Sequence, residues 1–125
     1  MRRYKGFTLI ELMIVVSIAA ILLGLAISSY TDSVRRGRRA DVQSIMIEFA
    51  GEAARILTET SSYASLALPG NPDYYTFSFP VTPTATAYSL LATPKGVQLK
   101  DKCGSMALTN TGKKTHTGSD TGCWK

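Results

Sequence analysis

The sequence has one histidine, one tryptophan and two cysteines in 125 residues, and no proline before position 69. Each scarcity excludes something. His116, Cys103 and Cys123 make an incomplete ligand set for tetrahedral zinc. The stretch "TGSDTG" holds one carboxylate, too few for a calcium loop. No glycine pattern suits a phosphate cradle, and no serine or threonine sits in a nucleophile-elbow context. His116, in a segment rich in threonine and glycine, reads as a surface residue rather than a base. An enzyme and a bound cofactor are both disfavoured. The missing prolines leave the first half of the chain open to one uninterrupted helix.

The formal charge is +5, but Arg2, Arg3 and Lys5 supply three of those charges, and 5 − 3 leaves +2 beyond residue 6. The basic balance is therefore weak ground for a nucleic-acid partner. Two cysteines alone do not prove a disulfide. An export or membrane signal would favour one, because the compartment would be oxidising.

Residues 7–27 form an apolar run, "FTLIELMIVVSIAAILLGLAI", behind a basic hexapeptide. As a helix it spans roughly 30 Å, one hydrocarbon core. A cleaved secretory signal fits the basic start, and Ala26-Ile27-Ser28 resembles a small-x-small cleavage site. The run is nonetheless longer than the usual h-region of about 7–15 residues. A plain membrane anchor fits the length. Both readings meet the same obstacle in Glu11, a lone acid costing about 2.5–3.5 kcal/mol in a span. An ionisable group there needs a partner.

The stretch Gly6-Phe7-Thr8-Leu9-Ile10-Glu11-Leu12, behind its short basic leader, resembles the type III signal of type IV pilins. The resemblance implies cleavage between Gly6 and Phe7 by a prepilin peptidase on the cytoplasmic side, then N-methylation of Phe7. It also makes Glu11 the family's assembly glutamate. Cleavage would create an α-amino group on Phe7, one helical turn from Glu11, and in a stack of subunits one amine can meet a neighbour's carboxylate. Low dielectric strengthens such a pair while desolvation offsets much of the gain, so register is the expected benefit. Family members often carry proline where Ser28 stands; without it, any weak point falls near Gly24.

The helical pattern continues beyond the apolar run. Val42, Ile45, Met46, Phe49, Ala53, Ile56 and Leu57 recur on one face, with Asp41, Gln43, Ser44, Glu48, Glu52 and Arg55 on the other. One helix is expected over about 7–60, apolar all round in its first half and amphipathic in its second. Residues 58–73 read as a loop tacked down by Tyr63, Leu66 and Leu68. Strands are expected at 74–79, 87–93, 105–110 and 113–117. The expected fold class is α+β, a long N-terminal helix packed on a four-stranded antiparallel sheet, the type IV pilin fold that the resemblance implies. The expected divisions are a leader at 1–6, a transmembrane and pilus-core helix at 7–29, the amphipathic half at 30–60, and the loop and sheet domain at 61–125.

The C-terminal pattern "ATPKG…DKCG…LTNTGKKT…CW" resembles minor pilins of the PilE kind. It implies a Cys103–Cys123 disulfide, with Trp124 packed on it. The resemblance further implies a minor structural subunit of a type IV pilus, serving twitching motility, adhesion or DNA uptake. Its partners would be other pilins, the prepilin peptidase and the assembly machinery. It would sit in the inner membrane with its C-terminus outside, then in the extracellular pilus. The basic residues do not set this orientation, since four arginines follow the run and three basic residues precede it.

Two other readings share the signal. One is a pseudopilin of type II secretion. The other is a DNA-binding competence pilin, with candidate contacts Arg35, Arg36, Arg38, Arg39, Lys100, Lys102, Lys113 and Lys114. The plainer account of "VRRGRRAD" at 34–41 is solvated helix whose arginines meet acids of neighbouring subunits.

Overall fold

The computed structural model describes residues 6–124. The elements run α1 (Leu9–Thr60), β1 (Tyr75–Ser78), β2 (Ser89–Pro94), a 3₁₀ helix (Gly96–Lys100), β3 (Met106–Thr109) and β4 (Lys114–His116). The chain divides into two compact units, Met1–Val34 and Arg35–Lys125.

In the first unit α1 begins with a cap. Thr8 Oγ1 accepts a hydrogen bond from the Glu11 amide at 3.3 Å, so Thr8-x-x-Glu11 has the spacing of a capping box. The acid also lies in the first turn, where the helix dipole favours it. The apolar side chains that follow are exposed, from Phe7 at 81% to Ile27 at 64%. This stretch is long and apolar enough to cross a membrane. Its hydroxyls turn back on the helix: Ser17 Oγ donates to the Met13 carbonyl at 2.8 Å and Ser28 Oγ to Leu25 at 3.0 Å. No polar group of theirs is left for lipid to solvate. The helix runs unbroken through Gly24 and Ser28.

In the second unit, α1 covers one face of a meander with spatial order β1-β2-β3-β4, antiparallel throughout. Period-2 alternation decides which side chains face the helix. Tyr75 and Phe77 of β1, Leu90 and Ala92 of β2, and Met106 and Leu108 of β3 are buried. They meet Val42, Met46, Phe49 and Ala53, spaced 4, 3 and 4 along α1. Ile45, Ile56 and Leu57 flank this stripe and are only partly buried. Each large apolar side chain buried here contributes about 1.5–3 kcal/mol. Tyr63 and Leu66 tack the loop to the core, while Leu68 stays 45% exposed. Tyr88 stacks edge-on against both Phe49 and Tyr63, with centroids 5.5 and 5.0 Å apart.

One reading needs correction. Gln43, placed on the polar face by its chemistry, is buried. Its amide nitrogen donates to the carbonyl of Cys123 and lies 3.5 Å from the Met106 sulfur. Trp124 lies against Lys114, whose ammonium sits 5.5 Å from the ring centroid, and its indole N–H donates to the Thr115 carbonyl at 2.9 Å. Cys103 and Cys123 are joined by a disulfide, both nearly fully buried. Its loop closes tightly because Gly118 has no side chain: a Cβ there would strike the Lys102 carbonyl and the Cys103 backbone.

Candidate functional site

The processing and assembly candidates lie in the first unit. Gly6 has open space around it, and Phe7 and Glu11 are exposed. Arg2, Arg3 and Lys5 of the expected leader lie outside the described residues.

The basic candidates separate into groups with different surroundings. Arg39 is committed inside the fold. Its Nε donates to Asp101 Oδ2 at 3.0 Å and a terminal nitrogen donates to Oδ1 at 2.8 Å. Its side chain is 13% exposed and that of Asp101 2%. This fork geometry is the strong form of an ion pair. It corrects the reading of Arg39 as a surface contact for DNA or a neighbour.

Asp101 also accepts from the Tyr75 hydroxyl at 3.2 Å and from the Gln98 amide nitrogen at 3.4 Å. Gln98 donates as well to the Arg35 carbonyl at 3.1 Å and to the Tyr75 oxygen at 3.4 Å. Three acceptors around one nitrogen fix the orientation of that amide, and its oxygen finds no hydrogen-bond partner among the described residues. Burial pushes the Tyr75 hydroxyl up to about 12, with the Asp101 carboxylate acting in the same direction. The segment 95–102 is thus bolted to α1 by side chains with no apolar signal. Arg35 contributes its carbonyl to this network, and Arg38 lies over the Tyr74 ring at 5.2 Å. Arg36 is exposed.

Lys113 and Lys114 are exposed at the β3–β4 turn. Beside them is a shallow groove of roughly 340 Å³, lined among others by Thr82, Thr84, Tyr88, Asn110, Thr111 and Lys113. Its polar groups are held in place. Asn110 Nδ2 donates to the Thr86 carbonyl at 3.2 Å, Thr84 Oγ1 to the Ala87 carbonyl at 3.3 Å, and the Thr109 and Thr111 hydroxyls are 2.9 Å apart. Most of the groove's surface is apolar and these polar groups are bonded within the chain, so the exposed lysine ammonium groups beside it are what suits a phosphate. Lys100 and Lys102 lie at the opposite end of β3, next to the disulfide, and are exposed.

Comparison with known proteins gives this arrangement a class. A profile of the prokaryotic N-terminal methylation motif matches residues 1–27. A profile described as type IV minor pilin ComP, DNA uptake sequence receptor, matches residues 28–107. A type IV pilin from Shewanella oneidensis superposes with a TM-score of 0.63 at 30% identity, covering 73% of this chain and 98% of that one. The non-core minor pilin PilV of Neisseria meningitidis gives 0.60 at 17% identity, over 74% of this chain and 95% of that one, a likeness of fold alone. A fimbrial protein of Pseudomonas aeruginosa is 41% identical over 76 residues, 59% of this chain and 48% of its own. The chain therefore spans about half the length of that relative. Helix, sheet and disulfide define a type IV pilin. Within that class, the chain belongs to the type IV minor pilin family of the ComP kind. Membership sets aside the secretion pseudopilin.

Proposed function

We propose that this chain is a minor structural subunit of a type IV pilus, and that its sheet domain presents a DNA-binding face. The observation that carries the DNA reading is the exposed Lys113–Lys114 pair at the β3–β4 turn, in a member of the ComP family. Lysines neutralise phosphate charge and release counter-ions. DNA uptake is the favoured role within the wider set of twitching motility and adhesion.

The remainder of the reading concerns the life of the subunit. Residues 1–6 are a leader, removed by a prepilin peptidase between Gly6 and Phe7, and Phe7 is then methylated. Residues 7–29 anchor the chain once across the inner membrane, with the C-terminus periplasmic. Residues 30–60 carry the loop and sheet domain, 61–125. On assembly the apolar helices of many pilins bundle, and the Phe7 amine of one meets Glu11 of another.

The test is binding of the detergent-solubilised full chain to duplex DNA across a salt series. The wild type should bind more weakly as salt rises. The Lys113→Ala/Lys114→Ala variant should lose affinity and lower the log–log salt slope by about 2, one unit per phosphate contact. An unchanged slope would remove this face as the DNA site.

A further inference from the structure

Two loops far apart in sequence form the walls of the groove beside Lys113. One is 81–87, "VTPTATA", between β1 and β2; the other is the β3–β4 turn, 109–113. Both walls are set before anything binds. The Thr84 amide donates to the Ala87 carbonyl at 2.9 Å, and the Ala87 amide donates back to Thr84 Oγ1 at 3.1 Å. In the second wall the Gly112 amide donates to the Thr109 carbonyl at 2.9 Å, and Gly112, at φ 77°, turns the chain into β4. The Asn110 side chain ties one wall to the other through the Thr86 carbonyl.

These bonds decide what the groove can recognise. The Asn110 amide donor is spent on Thr86, the Thr84 hydroxyl on Ala87, and the Thr109 and Thr111 hydroxyls on each other. Hydrogen-bond readout through those groups would break the walls apart. The surface that remains is mostly apolar, with Val81, 69% exposed, and Ala87, also exposed, on the first wall. Lys113 lines the same groove from the second wall and is exposed to solvent.

We infer that this groove reads thymine. Val81 and Ala87 take the C5-methyl groups that project into the major groove of duplex DNA, and Lys113 pairs with a neighbouring phosphate. The inference rests on the DNA-binding reading above and supplies what that reading lacks, a means of telling one base from another. Of the features a duplex shows in its major groove, all but one are hydrogen-bond donors or acceptors; the exception is the thymine methyl. An apolar wall with its donors already spent prefers that feature over every other. The lysine selects the duplex itself, because an ammonium beside an apolar wall matches a methyl set next to a phosphate, while lysine is depleted from the cores of protein interfaces. Lys113 thus positions the DNA and Val81 discriminates. Each methyl buried is worth about fourfold in affinity.

The experiment compares binding of the detergent-solubilised full chain to an alternating adenine–thymine duplex and to the same duplex with every thymine replaced by uracil. The alternating sequence offers a methyl in every register, and uracil differs from thymine by that methyl alone. The wild type should bind the thymine duplex about fourfold tighter or more. Val81→Ser, at a position too exposed to endanger folding, should bring the ratio to about one and leave the salt slope unchanged. Lys113→Ala should weaken both duplexes alike and lower the slope by about 1. Salt-dependent binding with equal affinity for the two duplexes overturns the thymine reading and leaves the DNA face standing. Absence of salt-dependent binding to either duplex overturns both. A thymine preference that survives Val81→Ser overturns this groove as the reader, and a preference confined to single strands overturns the major-groove contact. Val81→Ser that alters self-association while leaving DNA binding untouched assigns the groove to a second copy of the chain and overturns the inference.

Discussion

Glu11 acts at the start of α1 through its backbone amide, which donates to the Thr8 hydroxyl, and its carboxylate is the acid proposed to meet a neighbour's amine. Glutamine keeps that amide and the side chain's size and loses the charge. Glu11→Gln should therefore fold and insert normally yet fail to enter pili, as read by immunoblot of sheared filaments. Normal incorporation would sink the pairing. Asp101 poses a plainer case. Asp101→Ala leaves the mostly buried Arg39 guanidinium without its partner, which should cost about 3–5 kcal/mol by urea unfolding in detergent. The Arg39→Ala/Asp101→Ala pair should cost less than the sum of the singles. Tyr75 gives the network a pH dependence. Its folded pKa, about 12, lies above the ordinary value of 10.0. Its contribution is complete below about pH 10 and is lost as pH rises towards 12, because the unfolded chain releases the proton first. Wild type should lose on the order of 2 kcal/mol more than Tyr75→Phe between pH 9 and pH 12. None of this network was legible in the sequence. Arg39 read as surface and Gln43 as solvent-facing, while Gln98 and Asp101 gave no signal at all. Their partners lie 62 to 80 residues away along the chain. Arg39-x3-Gln43-x2-Met46 does continue the buried stripe one turn upstream, and that spacing was the available signal.

At the scale of elements the sequence was far more informative. Period-2 alternation located β1, and runs bounded by turn residues located the other three strands, each within two residues of its observed ends, while the absence of proline left α1 uninterrupted. The 3₁₀ helix escaped notice because polar side chains bury it, which hydropathy cannot register. The disulfide closes the segment that carries β3 and β4, two of the shortest strands. Closing 20 residues stabilises by roughly 3 kcal/mol in the chain-entropy view. Cys103→Ser/Cys123→Ser should lower unfolding stability by about that amount, and protease should cut first between 103 and 123, mapped by mass spectrometry.

For the whole molecule, the two units divide the work. The first offers an apolar helix with every hydroxyl named above satisfied internally; the second builds a core from one helical stripe and three strand faces. Gly6 is the proposed hinge between precursor and mature subunit. Gly6→Val should leave a slower-migrating precursor on a denaturing gel, and an unchanged mature band would reject the cut site. The family resemblance was visible from "GFTLIEL" alone. The division of labour between basic groups was not, because it depends on which lysines the fold leaves facing outward.

The tie from Gln43 to the Cys123 carbonyl has a mechanical consequence. Tension drawn along α1 enters the sheet domain near Arg39 and Gln43; Arg39 grips Asp101 and Gln43 grips the carbonyl of Cys123. Load is thereby shared at once between an ion pair and an amide clamp, before any strand is asked to peel. If those yield, the disulfide withholds its 20 residues from stretching, roughly 70 Å of contour length at full extension. A domain stitched in this way should rupture late and lengthen little under load.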